Sequence, residues 1–325
     1  MILVTGATGF VGNHVARALV ARGEAVRILV RKTSNLKWLS DLKLEQTMGD
    51  LRDRASLDAA VKGCSMLFHV AADYRFDVSD PNDVYQSNVE GTRHLLEAAG
   101  NAGVKRIVYT STVGCIGFIK NGLGTEETPV ALEAMVGTYK RTKFQAEQVA
   151  LELSRKGLPI VIVNPTAPIG EYDAKPTPTG EMIVRFLRRK MPAVIDTGLN
   201  LIDVRDCAQG HLLAADRGRL GERYILGCKN MTLMEICQVM GKVAGLPPPS
   251  IKLPYAIAYL AGWIDTKISL RRGRTPSISL ESVKMARKKM WVDCGKAIKE
   301  LALPQTPPEE ALARAVAWYG ENGQI

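Results

Sequence analysis

The sequence predicts an α/β protein, a doubly wound parallel sheet with a smaller, discontinuous α/β lobe. Three observations lead there. Apolar strand runs alternate with helical patterns from residue 1 to about 165, and a glycine-spaced turn joins the first strand to the first helix. After Pro165 the alternation fades into a proline-interrupted stretch, 175–180.

Ile2, Leu3 and Val4 open the chain as a buried strand that runs straight into Thr5 and the glycines Gly6, Gly9 and Gly12. Glycines at this spacing let the chain turn sharply, admit a pyrophosphate against bare backbone and pack helix closely on strand. The helix that starts beside Thr8, Phe10 and Val11 then offers unpaired N–H groups to the phosphates. Its apolar stripe, Val11, Val15, Ala18 and Leu19, stops at Gly23, and 25–30 is the second strand. Later strands fall at 44–48, 66–70, 106–111 and 159–164, which completes a Rossmann arrangement. The segments 201–206 and 222–226 read as short strands flanking a helix, with which the chain returns to the main sheet. A dinucleotide-binding domain of 1–165 plus about 201–228 follows, with a substrate-binding lobe of about 166–200 plus 229–325. Helical patterns at 233–243, 279–289 and 309–319 fill that lobe.

Forty-three Lys and Arg against 33 Asp and Glu leave a net charge of +10, which favours anionic ligands such as nucleotides, or an acidic membrane surface. No Lys/Arg run resembles a nucleic-acid-binding arm, so no nucleic-acid partner is expected. The six cysteines lie far apart without a CxxC pair, and no His, Cys and carboxylate cluster suggests a metal. With the first strand starting at the methionine, the reading expects no targeting peptide and a cytoplasmic protein, or one peripheral to the inner face of the membrane. The apolar stretch 253–264, with Arg271, Arg272 and Arg274 after it, is expected to pack as a helix within the small lobe, with peripheral membrane contact as the alternative.

Tyr139 and Lys143 stand four apart on a helical pattern and share a face. An ammonium beside a phenol favours the phenolate, lowering a pKa that is ordinarily about 10, and such a tyrosine can exchange a proton with a substrate oxygen. Thr110, Ser111 and Thr112 end a predicted parallel strand, where ligands of such sheets bind. At the end of the second strand stand Arg31 and Lys32, with no carboxylate for a ribose 2′-OH, so NADP(H) is favoured and NAD(H) is the alternative. Tyr74, Arg75, Lys175 and Thr179 follow strand ends or sit where the small lobe closes over the sheet, which makes them substrate-side candidates together with Thr112 and Asn164.

Over essentially its full length the chain resembles the extended short-chain dehydrogenase/reductase family of NAD-dependent epimerase/dehydratase type. The resemblance rests on the glycine turn, Gly49-Asp50-Leu51, His69-Val70-Ala71-Ala72, Asn88-Val89-Glu90-Gly91-Thr92, Ser111-Thr112, Tyr139-x-x-x-Lys143, Asn164-Pro165 and Asp203-Val204-Arg205-Asp206. It implies that Tyr139 is the acid/base, that Lys143 also grips the nicotinamide ribose, and that Thr112, or failing it Ser111, polarises the reacting C–O bond. Asp50 and Leu51 would meet the adenine, Ala71 and Ala72 the middle of the cofactor, and Asn164 and Pro165 the nicotinamide pocket. Val70, Asn88, Thr110 and Thr166 complete the implied cofactor contacts. A homodimer through the helices of 81–103 and 137–156 is implied as well.

The strings 68–75, 164–170, 175–180, 196–201 and 285–290 further resemble the branch termed hopanoid-associated sugar epimerase or dihydroflavonol-4-reductase-like. Those names describe different reactions, on a nucleotide sugar or on a flavonoid-like or polycyclic ketone. NADP(H) preference points to reduction, whereas Arg185, Arg188, Arg189, Arg205 and Arg271 are compatible with an anchor for a nucleotide diphosphate. A non-catalytic NADP(H)-binding sensor or scaffold is the third reading, against which stands the presence of Tyr139, Lys143 and a strand-end hydroxyl.

Overall fold

The computed structural model describes residues 1–74, 80–272, 274 and 280–324. Arg75, an expected substrate contact, lies outside them, as does Ser279 at the start of one predicted helix. The chain begins β1 (Ile2–Thr5), α1 (Phe10–Ala21), β2 (Val26–Val30), β3 (Glu45–Met48), α2 (Arg54–Val61) and β4 (Met66–His69). Next, α3 (Pro81–Tyr85) continues through a π-helical turn, Gln86–Glu90, into α4 (Gly91–Asn101), followed by β5 (Arg106–Thr110), α5 (Thr138–Arg155) and β6 (Ile160–Pro165). The second half holds β7 (Ala167–Ile169), α6 (Pro178–Leu187), β8 (Ala193–Ile195), β9 (Gly198–Asp203), α7 (Val204–Arg217), β10 (Arg223–Leu226) and β11 (Lys229–Thr232). It closes with α8 (Leu233–Ala244), β12 (Ile251–Leu253), α9 (Tyr255–Arg271), α10 (Leu280–Met285), α11 (Gly295–Leu301) and α12 (Pro308–Glu321).

Seven parallel strands make the main sheet in the order β10-β6-β5-β4-β1-β2-β3. Strand order reverses between β1 and β4, and ligands of such sheets bind in the crevice beyond the strand ends at that point. Both faces are covered, because side chains alternate along each strand. Val108, Val161 and Val163 point into the core shared with α1 and α7, while Ile107, Tyr109, Ile160 and Ile162 point into the core shared with α2, α4 and α5. A third core, built from α6, α8, α12, β7 and β9, belongs to the small lobe. Local signals start its helices: Thr177 caps α6 just before Pro178, and Thr232 with Glu235 forms a reciprocal capping box on α8.

Three expectations change. Segment 201–206 does not return to the main sheet: Leu201, Ile202 and Asp203 end β9, which joins β7 and β11 in a separate three-stranded sheet, and Val204 starts α7. The chain reaches the main sheet only at β10, which pairs with β6. Nor does everything after residue 229 belong to the small lobe, since Ala297 and Leu301 of α11 and the following Leu303 join the core beneath α1 and α7. Finally, the apolar stretch 253–264 is divided between β12 and α9, and of the described residues of α9 only Ala258, Gly262 and Ser269 are buried. It is not a packed core helix. Among the described residues no helix is long and apolar enough to cross a membrane, and no group of three or more His, Cys, Asp or Glu is placed to hold a metal ion.

Candidate active site

The glycine turn leaves the end of β1 and enters α1 with Gly6 at φ +75°, a conformation that L side chains rarely adopt. A Cβ on Gly6 would stand 2.6 Å from the Ala71 nitrogen, and one on Gly12 would stand 2.6 Å from the Gly6 carbonyl carbon and closer still to its oxygen. Bare backbone is therefore a steric requirement at both positions. Gly9 is the N-cap of α1 without any side-chain cap, and no acidic residue occupies the first turn, so the positive end of the helix is left to an anion. The cradle fits a dinucleotide pyrophosphate. Behind it, the Ala71 N–H and the His69 ring hold the Thr5 hydroxyl (3.3 and 2.8 Å), and His69 Nε2 meets the Thr92 hydroxyl at 2.9 Å. Thr92 donates to the Asn88 carbonyl, so its oxygen accepts from Nε2–H and Nδ1 accepts from Thr5. Burial drives the His69 pKa down to about 3, a neutral packed histidine that braces the ends of β1 and β4.

The chemistry-bearing side chains meet where β5 and β6 end against α5. Thr112 caps a short 3₁₀ turn by accepting from the Gly114 N–H at 3.1 Å, and buried Ser111 lies against the Cys115 thiol. Gly137, at φ +83°, turns the chain into α5, placing Tyr139 and Lys143 one turn apart in its first turns. Lys143 is buried and donates to the Thr110 carbonyl (2.7 Å) and the Tyr109 hydroxyl (3.1 Å). The expected lowering of the Tyr139 pKa by this lysine is not what the geometry produces. Burial pushes the Tyr139 phenol above its ordinary range, with Cys115 adding to the rise, and burial draws the Lys143 ammonium down to about 8. Asn164, fully buried at the end of β6, donates to the Thr112 carbonyl (3.0 Å) and to Glu147 (2.7 Å), while its own side-chain oxygen has no hydrogen-bond partner among the described residues. A buried orphan acceptor marks a place where a bound group completes the network.

The sequence profile of the NAD dependent epimerase/dehydratase family matches residues 2–227, the whole of the cradle and of the α5 constellation. The chain belongs to this family. Membership makes it an NAD(P)-dependent oxidoreductase or epimerase. A dihydroflavonol 4-reductase-like protein of Synechocystis sp. is 46% identical over 99% of this chain and 95% of its own length. Sterol demethylase protein B of Methylococcus capsulatus is 35% identical over 99% of each chain. Among solved structures, DesIV, a dTDP-glucose 4,6-dehydratase from Streptomyces venezuelae with NAD and TYD bound, superposes with a TM-score of 0.78 at 26% identity, covering 99% of this chain and 97% of that one.

Within this epimerase/dehydratase-family site, other candidates sort by what they touch. Thr8, Phe10 and Val11 sit at the mouth of the cradle, and Val70, Ala71 and Ala72 follow β4 beside it. Arg31 and Lys32 are exposed just past β2. Asp50 is paired with Arg52 at 3.1 Å, and Leu51 packs where a Cβ on Gly91 would strike it. Two side chains face away from a cofactor role. Thr110 Oγ1 bonds His211 of α7 at 3.0 Å, because residues alternate across the sheet and Thr110 takes the opposite face from Tyr109. Asn88 is fully engaged: it accepts from the Asp73 N–H and donates to the Asp73 carbonyl and to Thr142, tying the segment after β4 to α5. Thr166 donates to the Leu226 carbonyl, and Pro165 is buried at the end of β6. On the substrate side, the Lys175 ammonium lies 5.6 Å over the Tyr74 ring, and half-buried Thr179 occupies the first turn of α6. Sequence reasoning missed Tyr109 and Glu147. Glu147, completely buried, holds Asn164 and pairs with Arg223 at 3.2 Å, and its position one turn beyond Lys143 on the same helical face was the available signal.

Proposed function

We propose that the protein is an NADP(H)-dependent oxidoreductase that moves a hydride to or from a ketone or secondary alcohol, with Tyr139 as the acid/base. The observation that carries this reading is the convergence of Tyr139, Lys143, Ser111, Thr112 and Asn164 at the ends of β5 and β6. When bound, the dinucleotide supplies the hydride at its nicotinamide ring. The glycine cradle and the end of α1 would hold the pyrophosphate, and Arg31 and Lys32 would receive a ribose 2′-phosphate. No carboxylate at the end of β2 competes for that place, and Asp50 is already paired with Arg52.

In the reducing direction Thr112 or Ser111 hydrogen-bonds the ketone oxygen and draws charge onto it. Tyr139 gives its proton to that oxygen as the carbonyl carbon accepts the hydride, leaving a secondary alcohol. A phenol of ordinary pKa about 10 is protonated at neutral pH, and burial reinforces this form, which is the one a donor needs. Lys143, fixed by Thr110 and Tyr109, places a positive charge one turn from the phenolate that forms. Of the arginines expected to anchor a nucleotide diphosphate, Arg205 is held by Glu171 at 2.6 Å, and Arg188 and Arg189 are exposed beyond α6, which favours reduction over epimerisation.

The test follows NADPH absorbance with a panel of polycyclic and flavonoid-like ketones and nucleotide sugars. Net oxidation is expected with a ketone, falling by at least about 10²-fold in Tyr139→Phe while NADPH binding changes little. Isomer interconversion without net oxidation would establish the epimerase instead, and full turnover by the Tyr139→Phe variant would remove Tyr139 from the mechanism.

A further inference from the structure

α9 and its surroundings are unlike the rest of the surface. α10 packs against the helix, whose buried described residues are all small, Ala258, Gly262 and Ser269, and whose large side chains turn outward. Ile257 (54% exposed), Leu260 (57%), Trp263 (41%), Ile264 (43%) and Ile268 (44%) all stand in solvent, joined by Ile251 from β12. An exposed apolar area of this extent marks an interaction surface. Charge singles out the same region. Residues 251–290 carry nine Lys and Arg against two acidic residues, which is +7 of the chain's +10 within 40 positions. One of the two acids, Asp265, accepts from Ser269 at 3.1 Å. Lys267, Arg271, Arg272, Arg274 and Arg287 are exposed. The Lys267 ammonium lies 4.1 Å over the Trp263 ring, so cation and indole share one face.

We infer that α9 docks this protein onto an anionic lipid bilayer, with its large apolar side chains in the headgroup and acyl boundary and the surrounding Lys and Arg on the lipid phosphates. Apolar bulk ringed by cations is the chemistry of interfacial helices. At 17 residues the helix spans about 25 Å lengthwise, and it lies in the plane of the surface rather than across it. A second copy is a poor occupant, because a two-fold interface through this patch sets the same surplus of positive charge against itself. The same basic segment also touches the loop that follows the strand-end hydroxyls. Lys288 lies 5.0 Å over the ring of Phe118, which with Ile119 is exposed on the loop that leaves Thr112 and the 3₁₀ turn. The inference does not depend on the hydride-transfer reading, since binding to lipid is measured without turnover.

The experiment sediments the full chain with phosphatidylcholine vesicles and with vesicles containing one quarter phosphatidylglycerol, at low and high salt. The expected result is binding to the anionic vesicles at low salt, at least tenfold weaker to phosphatidylcholine alone, and a blue shift of tryptophan emission on binding. The pair Leu260→Glu and Ile264→Glu should weaken binding at least tenfold while NADPH affinity, the check on folding, stays unchanged. Three results overturn the proposal: no sedimentation with anionic vesicles at low salt, equal binding by the double variant, or a dimer in solution that the double variant converts to monomer.

Discussion

Gly12→Ala tests whether the cradle depends on bare backbone. The new Cβ would stand 2.6 Å from the Gly6 carbonyl carbon and 3.1 Å from the Ala7 Cα, where carbon atoms ordinarily rest at about 3.5–4.0 Å. The turn and the helix must then separate by about 1 Å. No flexible side-chain tip can absorb this, because the obstructing atoms are backbone. Gly6 is also hemmed in on its other side by the Ala71 nitrogen and bonded by the Gly9 N–H at 2.9 Å. Overpacking of this kind costs about 1–3 kcal/mol. It moves the first-turn N–H groups of α1 relative to Gly6, so NADPH affinity should fall at least about tenfold, or 1.4 kcal/mol. The assays are fluorescence titration with NADPH and thermal unfolding. Gly23→Ala is the control: Gly23 also has a left-handed φ (+82°), but its Cβ would meet nothing within 4 Å. That variant should lose stability and keep its affinity. If Gly12→Ala bound NADPH as tightly as the unmodified chain, the steric account of the cradle would be wrong.

Two other perturbations follow from the same geometry. His69 and His211 are buried as neutral acceptors of Thr5 and Thr110, with pKa values drawn by burial to about 3 and about 4, so below pH 6.5 the unfolded chain takes up protons that the folded chain refuses and stability falls with pH. At pH 5 each costs about 2 kcal/mol relative to pH 7.5, against which the raised carboxyls of Asp173 and Glu126 act in the opposite sense, and urea titrations should show the fall shrinking by about 2 kcal/mol in His211→Gln, an unchanged slope contradicting the assignment. Arg31→Glu puts a carboxylate where a ribose 2′-OH is bound in NAD enzymes, so the ratio of NADPH to NADH affinity should drop at least about tenfold, and an unaltered ratio would place the 2′-phosphate elsewhere.

The parts legible in the sequence are those whose physics is local. Gly6, Gly9 and Gly12 announce a turn because the residue type itself sets the backbone freedom, and α5 was readable because Tyr139 and Lys143 repeat at the helical spacing. What escaped was decided between elements distant in sequence. Thr110 and Tyr109 are neighbours, yet one bonds His211, 101 residues on, and the other Lys143, because strand alternation sends them to opposite faces. Asn88 matched a family motif but serves as a tie between the segment after β4 and α5, which no spacing reveals. Segment 201–206 has strand character wherever it pairs, and pairing with β7 and β11 rather than with the main sheet is a long-range choice. α9 shows the same divide. Its apolar composition suggested burial, whereas only the tertiary structure shows that its buried described residues are small and that the large ones face out.

By itself the sequence determined the glycine turn, the alternating strand and helix pattern of the large domain, and the helical pairing of Tyr139 with Lys143. Each is built from residue type and spacing within single turns, strands and helices. Only the tertiary structure decided where Lys143 places its charge, which strand-end side chains reach the site, and which apolar segment stays uncovered. These depend on which surfaces the folded chain brings within a few ångströms of each other, and hydrogen bonds and burial act over no greater distance.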